Sequence, residues 1–193
     1  LFMIIKVIAQ IIKNREYGFM LLKKYFFDII TAVCIMYFLF LCLWGFNYQR
    51  EPFSTIANLD VHDATVSELY NVCEDIINRA NNLRAKVAED NSGCMYIPGG
   101  FKSVSERALY GYSKASTIYP ELKGSFSNPK PVIFSTALSY SGIAGVFCPF
   151  TGEADVNVSQ PDSMLPNTAC HEMAHQRGFA REDEANYISY FVC

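Results

Sequence analysis

The run Cys170-His171-Glu172-Met173-Ala174-His175-Gln176-Arg177-Gly178 sets two imidazoles four residues apart, with a carboxylate directly after the first. On an α-helix such positions share one face, so His171 and His175 converge on a single point, as two ligands of one metal ion must. Glu172 lies one step round, on the rim of that face. There it can reach a metal-activated water without being a ligand, which is the position of a general base. A catalytic zinc takes three protein ligands and keeps one position open. The third ligand is expected from Arg181-Glu182-Asp183-Glu184-Ala185-Asn186-Tyr187, the acidic start of a second helix. Glu182 and Asn186 share a face there, so Glu182 is the expected ligand and Asn186 the group that hydrogen-bonds and orients a ligand from behind. Glu184 points elsewhere on the same helix and is the reserve ligand. Imidazole and carboxylate donors suit Zn²⁺, although ligand type alone also admits manganese, iron or cobalt.

A bare HExxH also arises by accident, with its histidines on a solvated surface. Here the chain has three histidines, and His171 and His175 are both in the motif. A helix-ending glycine and an acidic cluster follow at once, the context that a metal site requires.

The elements that must present these groups can be read outward from the motif. Pro166 suits a first helical turn, Ala169, Met173 and Ala174 favour a helix, and Gly178 suits the position just past its end. Upstream, 132–136, 142–148 and 154–158 have the β-branched, aromatic or alternating texture of short strands. An extended peptide could add to an edge strand there through main-chain hydrogen bonds. The glycines at 142, 145 and 152 would either admit a second backbone or simply make turns. Further upstream, Thr65-Val66-Ser67-Glu68 and Ser103-Val104-Ser105-Glu106 are capping boxes, each opening a helix. The first helix carries Val66, Leu69, Cys73, Ile76, Ile77, Ala80, Leu83 and Val87 at helical spacing and is expected to pack on the core, with Glu74, Asp75, Arg79 and Lys86 solvated. The second should end before Pro120. It carries Tyr110, Tyr112 and Tyr119, none of which is singled out for the site.

The chain has 193 residues, 51% hydrophobic and 15% aromatic, with a net charge of -3. That composition suits one domain plus membrane-embedded sequence and gives no nucleic-acid signal. Residues 25–46 offer about 22 residues with Asp28 as their one charge, enough for a transmembrane helix. Trp44, Tyr48 and Arg50 fit an interfacial anchor. The apolar run 1–12 is too short to span alone and reads as the end of a truncated transmembrane helix or, failing that, an amphipathic interfacial helix. Between them, 13–24 carries Lys13, Arg15, Lys23 and Lys24 against Glu16, so this basic loop is expected to be cytoplasmic and everything from about residue 47 extracytoplasmic. A juxtamembrane linker over 47–64 then leads to a domain over 65–193, incomplete at its C-terminus. Of the seven cysteines, Cys34 and Cys42 fall in the membrane helix, and none shows zinc-ribbon spacing.

The motifs WGFNYQREPF, GVFCPFTGEADVN and CHEMAHQRGFAREDEANY resemble those of the bacterial membrane family called domain of unknown function 3810, over nearly the whole chain. That family is regarded as similar to zinc-dependent gluzincin peptidases. The resemblance implies a third zinc ligand from a glutamate on a later helix with an Asp or Asn four residues on, which selects Glu182 with Asn186. The chain departs from thermolysin-like enzymes in the short separation of His175 and Glu182, and from the family pattern in having Asp155 where asparagine is usual. Metzincins share HExxHxxG, but their third ligand would fall on Arg181, and a guanidinium cannot bind zinc.

The expectation is therefore an α+β, zincin-like domain behind transmembrane helices, in a multi-pass cell-membrane protein with its catalytic side extracytoplasmic. Its function would be Zn²⁺-dependent hydrolysis of a peptide or protein substrate beside the lipid bilayer, with no nucleic-acid partner. Two alternatives stand beside it. One is an inactive membrane-bound sensor or scaffold with a structural metal site, and the other a metal-dependent hydrolase of another envelope amide.

Overall fold

The computed structural model describes residues 2–13 and 15–193. Leu1 and Asn14, which belong to the segments 1–12 and 13–24 above, lie outside the described residues. The chain divides into two units, Leu1–Phe46 and Asn47–Cys193.

The first unit consists of α1 (Phe2–Lys13) and α2 (Arg15–Leu43). Over Glu16–Leu43, α2 is long and apolar enough to cross a membrane. The expected loop over 13–24 is thus helical from Arg15 onward, and the apolar helix ends at Leu43 rather than at 46. The basic residues explain the difference. Lysine is a good helix former, and Lys24 reaches Asp28 one turn on at 3.7 Å, so charge interrupts the hydropathy without interrupting the helix.

The second unit is helix-rich α+β. It contains α3 (Phe53–Ile56), α4 (Val66–Arg84), α5 (Gly100–Ala115), β1 (Lys130–Pro131), α6 (Ser135–Tyr140), β2 (Gly145–Cys148), β3 (Glu153–Val156), α7 (Leu165–Gln176) and α8 (Glu182–Val192). The sheet has the order β1-β3-β2, with β1 parallel and β2 antiparallel to β3, so β2 is an edge strand. Ala154 and Val156 point from β3 into one core shared with Leu165, Ala169 and Met173 of α7, Val104, Ala108 and Tyr112 of α5, and Ala185 and Ile188 of α8.

Several sequence expectations shift in physically interpretable ways. Residues 132–136 do not form a strand. Val132 N–H still bonds to Val156 at 2.9 Å, but the Ser135 hydroxyl then donates back to the Val132 carbonyl at 2.7 Å and the chain turns into α6. β2 starts at Gly145 and β3 ends at Val156; just beyond them the Asn157 N–H still bonds to the Ala144 carbonyl at 2.9 Å, and its buried side chain donates to the Ile143 carbonyl at 2.9 Å. The helix expected at Ser103 begins at Gly100, behind Gly99 at φ 84°, so Ser103 lies in its interior. It ends before Pro120 as expected. The Thr65–Glu68 capping box is present, yet α4 has no buried residue, so its apolar stripe is a solvent-exposed face and not the packing face the periodicity suggests.

The expected linker over 47–64 is in part core. Phe53 is 1% exposed and meets Phe179 and Tyr119 edge-on, at ring-centre distances of 5.4 and 5.2 Å. Truncating so enclosed an aromatic ring costs the burial and leaves a cavity. Phe53→Ala should therefore destabilise the second unit by about 3–5 kcal/mol, read from urea unfolding of the detergent-solubilised chain by near-ultraviolet circular dichroism.

Candidate metal centre

Pro166 lies in the first turn of α7, and the buried stripe Leu165, Ala169, Met173 fixes the rotation of that helix about its axis. The opposite edge carries His171 and His175 to the end of the helix, where the chain reverses. Gly178 has φ 83°, its N–H bonds to the His175 carbonyl at 2.8 Å, and the Phe179 N–H bonds to the Ala174 carbonyl at 3.2 Å. This is a Schellman turn, which ends a helix by using a left-handed residue to satisfy its last carbonyls. Arg181 then caps α8, which brings Glu182 back over the two imidazoles.

The result is a convergence of three donors. His171 Nε2 and His175 Nε2 are 3.1 Å apart, Glu182 Oε2 is 3.1 Å from the first and Glu182 Oε1 is 3.4 Å from the second. Taking one donor atom from each residue, all three lie within 4.8 Å of one another. Two ligands that each sit about 2.0–2.1 Å from zinc across a tetrahedral angle are about 3.3 Å apart. The observed spacings match that figure. His175 Nδ1 hydrogen-bonds the Phe179 carbonyl at 2.8 Å, and since a carbonyl only accepts, Nδ1 holds the proton and Nε2 presents a lone pair to the centre. The Asn186 side chain hydrogen-bonds the His171 ring. Burial and the neighbouring imidazole of His175 lower the pKa of His171, which favours the neutral, metal-binding form. His175 is nearly enclosed, whereas the Glu182 side chain is 75% exposed, so the centre opens to solvent on the glutamate side.

Glu184, the reserve ligand, is not brought to this cluster. Its carboxylate accepts from the Phe53 N–H at 3.0 Å, holding the first turn of α3 against α8. The third histidine, His62, is also elsewhere, near Asp60. Tyr112 is buried with its hydroxyl donating to the Cys170 carbonyl at 2.7 Å, so it braces α7 and does not face the centre.

Glu172 points from α7 toward the sheet and is buried. A Cβ placed on Gly145 would lie 2.5 Å from Glu172 Oε1, so β2 can pass the carboxylate only because this position has no side chain. The Phe147 backbone N–H donates to the same carboxylate. Burial, with the negative charges of Glu182 and Asp155, pushes its pKa up to about 8. Gly145 therefore makes room for a side chain and not for a second backbone, while Gly142 and Gly152 adopt left-handed turns, at φ 70° and 69°.

Three supports were not foreseen from the sequence. The negative charge of Asp155 raises the pKa of Glu172, the Phe179 carbonyl fixes the His175 tautomer, and the segment from Asn47 to Phe53 braces the α7–α8 turn. Arg50 Nη1 donates to the Arg177 carbonyl at 2.7 Å, and its guanidinium lies 4.1 Å from the Phe179 ring centre. Arg177 is itself buried between the Tyr112 and Phe126 rings, with its donors on the Leu122 and Met173 carbonyls at 3.0 and 2.8 Å. The motif NYQREPF carried a signal for the brace in its arginine and phenylalanine. A backbone carbonyl leaves no trace in side-chain identity.

In comparisons with known proteins, residues 1–193 match the model of a family described as "Protein of unknown function (DUF3810)". Neither the curated proteins nor the solved structures gave a match.

Proposed function

The chain belongs to that family, Protein of unknown function (DUF3810), and from the geometry of its site we propose that it is a membrane-anchored, zinc-dependent metallopeptidase of gluzincin type with a zincin-like domain. The observation that carries the reading is the convergence of His171, His175 and Glu182 at tetrahedral ligand spacing beside the buried carboxylate of Glu172. These three residues would hold Zn²⁺, which supplies Lewis acidity to polarise a peptide carbonyl and to acidify a water. His175 is held in the ligating tautomer by Phe179, and Asn186 orients His171. A cation held by Glu182 would offset that residue's charge and favour the Glu172 carboxylate, whose Oε takes a proton from the attacking water and delivers it to the leaving amine. Gly145 and the Phe147 N–H fix where that oxygen sits. The edge strand β2 gives an extended peptide a row of main-chain partners next to Glu172, so a peptide substrate fits the site. The helix over Glu16–Leu43 is long and apolar enough to serve as the anchor, and by the positive-inside rule the basic residues before the most apolar stretch favour an extracytoplasmic catalytic unit in a multi-pass arrangement.

Elemental analysis of the purified full-length chain in detergent, paired with a peptide-cleavage assay, tests this reading. About one zinc per chain is expected, with cleavage lost on chelation and restored by Zn²⁺. Absence of bound metal from protein purified without chelator would overturn the reading, as would cleavage that chelation leaves intact.

A further inference from the structure

The structure assigns Cys170 and Cys193 as a disulfide-forming pair that joins the two ligand-bearing helices. Their sulfurs are 3.7 Å apart, the Cys193 thiol donating to Cys170. A disulfide needs about 2.0 Å between sulfurs, and side-chain rotation would have to supply the remaining approach. The two residues differ in access. Cys193 is exposed, Cys170 is buried, and both line a cavity of about 600 Å³ between α5 and α8 with Arg107, Lys114 and Phe191. The cavity gives an oxidant a route to the pair.

The chemistry balances as thiol–disulfide exchange with a small-molecule or protein disulfide, written RSSR. The Cys193 thiolate attacks one sulfur of RSSR and expels RS⁻, leaving a mixed disulfide on Cys193. The released thiolate takes the Cys170 proton, and the Cys170 sulfur attacks that of Cys193 and expels the second RS⁻, which takes up a proton from water. Two protein thiols are oxidised to one disulfide, and RSSR is reduced to two RSH.

Position gives the bond its consequence. Cys170 immediately precedes His171, and Cys193 follows the last turn of the helix that begins at Glu182. Glu184 and Phe53 hold the start of α8. The disulfide would tie α8 to α7 again at Cys193, about three turns on, so that the helix is held at two points while it carries a centre lined by both helices. The bond does not depend on the metal reading, because its formation is read from sulfur alone.

The test uses the full-length chain in detergent, incubated with oxidised glutathione, then alkylated in denaturant and digested. A peptide linking Cys170 to Cys193 is expected, with two of the seven thiols lost to alkylation. Reduction should lower Tm by roughly 10 °C, as opening a closed loop of this size in a domain of this size does. Cys193→Ser, at an exposed position, should abolish both the linked peptide and the Tm difference. The assignment is overturned if both thiols remain free to alkylate after the oxidant, if Cys193 is linked to a different cysteine, or if the Tm difference persists in Cys193→Ser.

Discussion

Glu172→Gln is expected to lower peptide-bond hydrolysis by about 10²–10⁴-fold, the usual contribution of a positioned general base, with zinc content unchanged. The substitution is chosen for shape. The side chain lies where a Gly145 Cβ would collide with it, so an isosteric amide keeps the packing against β2 and retains an oxygen to accept the Phe147 N–H. Alanine would instead open a cavity and confuse lost chemistry with lost structure. The measurement is kcat on a cleaved peptide, together with elemental analysis. An undiminished kcat in Glu172→Gln would remove Glu172 as the general base, and absence of cleavage by the unaltered, zinc-loaded chain would remove the enzyme reading and leave the scaffold.

A second pair of variants separates two carboxylates that are two residues apart in sequence and do different work. Glu182→Ala removes one of the three converging donors. Loss of a hydrogen bond that merely supports a ligand already weakens metal binding about 10–100-fold, so loss of the ligand itself should exceed that and leave the purified protein without zinc. Glu184→Ala should keep its zinc. It instead strips the Phe53 N–H of its charged partner, at a cost of about 1–2 kcal/mol of stability. Competition for Zn²⁺ with a fluorescent chelator reads the first effect, and urea unfolding reads the second. Retention of zinc by Glu182→Ala and its loss in Glu184→Ala would reverse the assignment of the two residues.

The centre was legible to the degree that it is local. His171, Glu172, His175, Glu182 and Asn186 lie within two adjacent helices and one turn, so helical periodicity and a left-handed glycine suffice to bring four of them together and to set Glu172 beside them. What spacing alone left open was the choice between Glu182 and Glu184. That choice depends on Phe53, a residue 131 positions away in sequence, and no local pattern encodes so distant a partner. The strands were partly legible for the same reason. Ala154 and Val156 alternate inward as their spacing implies, but at Ser135 and Asn157 side-chain hydrogen bonds that the apolar pattern does not contain take over from the regular strands. For α4, periodicity and cap chemistry gave the right helix and the wrong surroundings. An amphipathic pattern states that one face is apolar, and only tertiary contacts state what covers it.

The contact of Arg50 and Phe53 with the α7–α8 turn decides where the second unit can be cut free of the apolar helix before it. A cut placed by hydropathy and turn content, just before Thr65, would discard the guanidinium on the Arg177 carbonyl, the ring beneath Phe179 and the N–H that occupies Glu184. The excised piece would then show a low stability, and a weak affinity for any metal, that belong to the cut and not to the protein. A boundary at Asn47 keeps all three contacts.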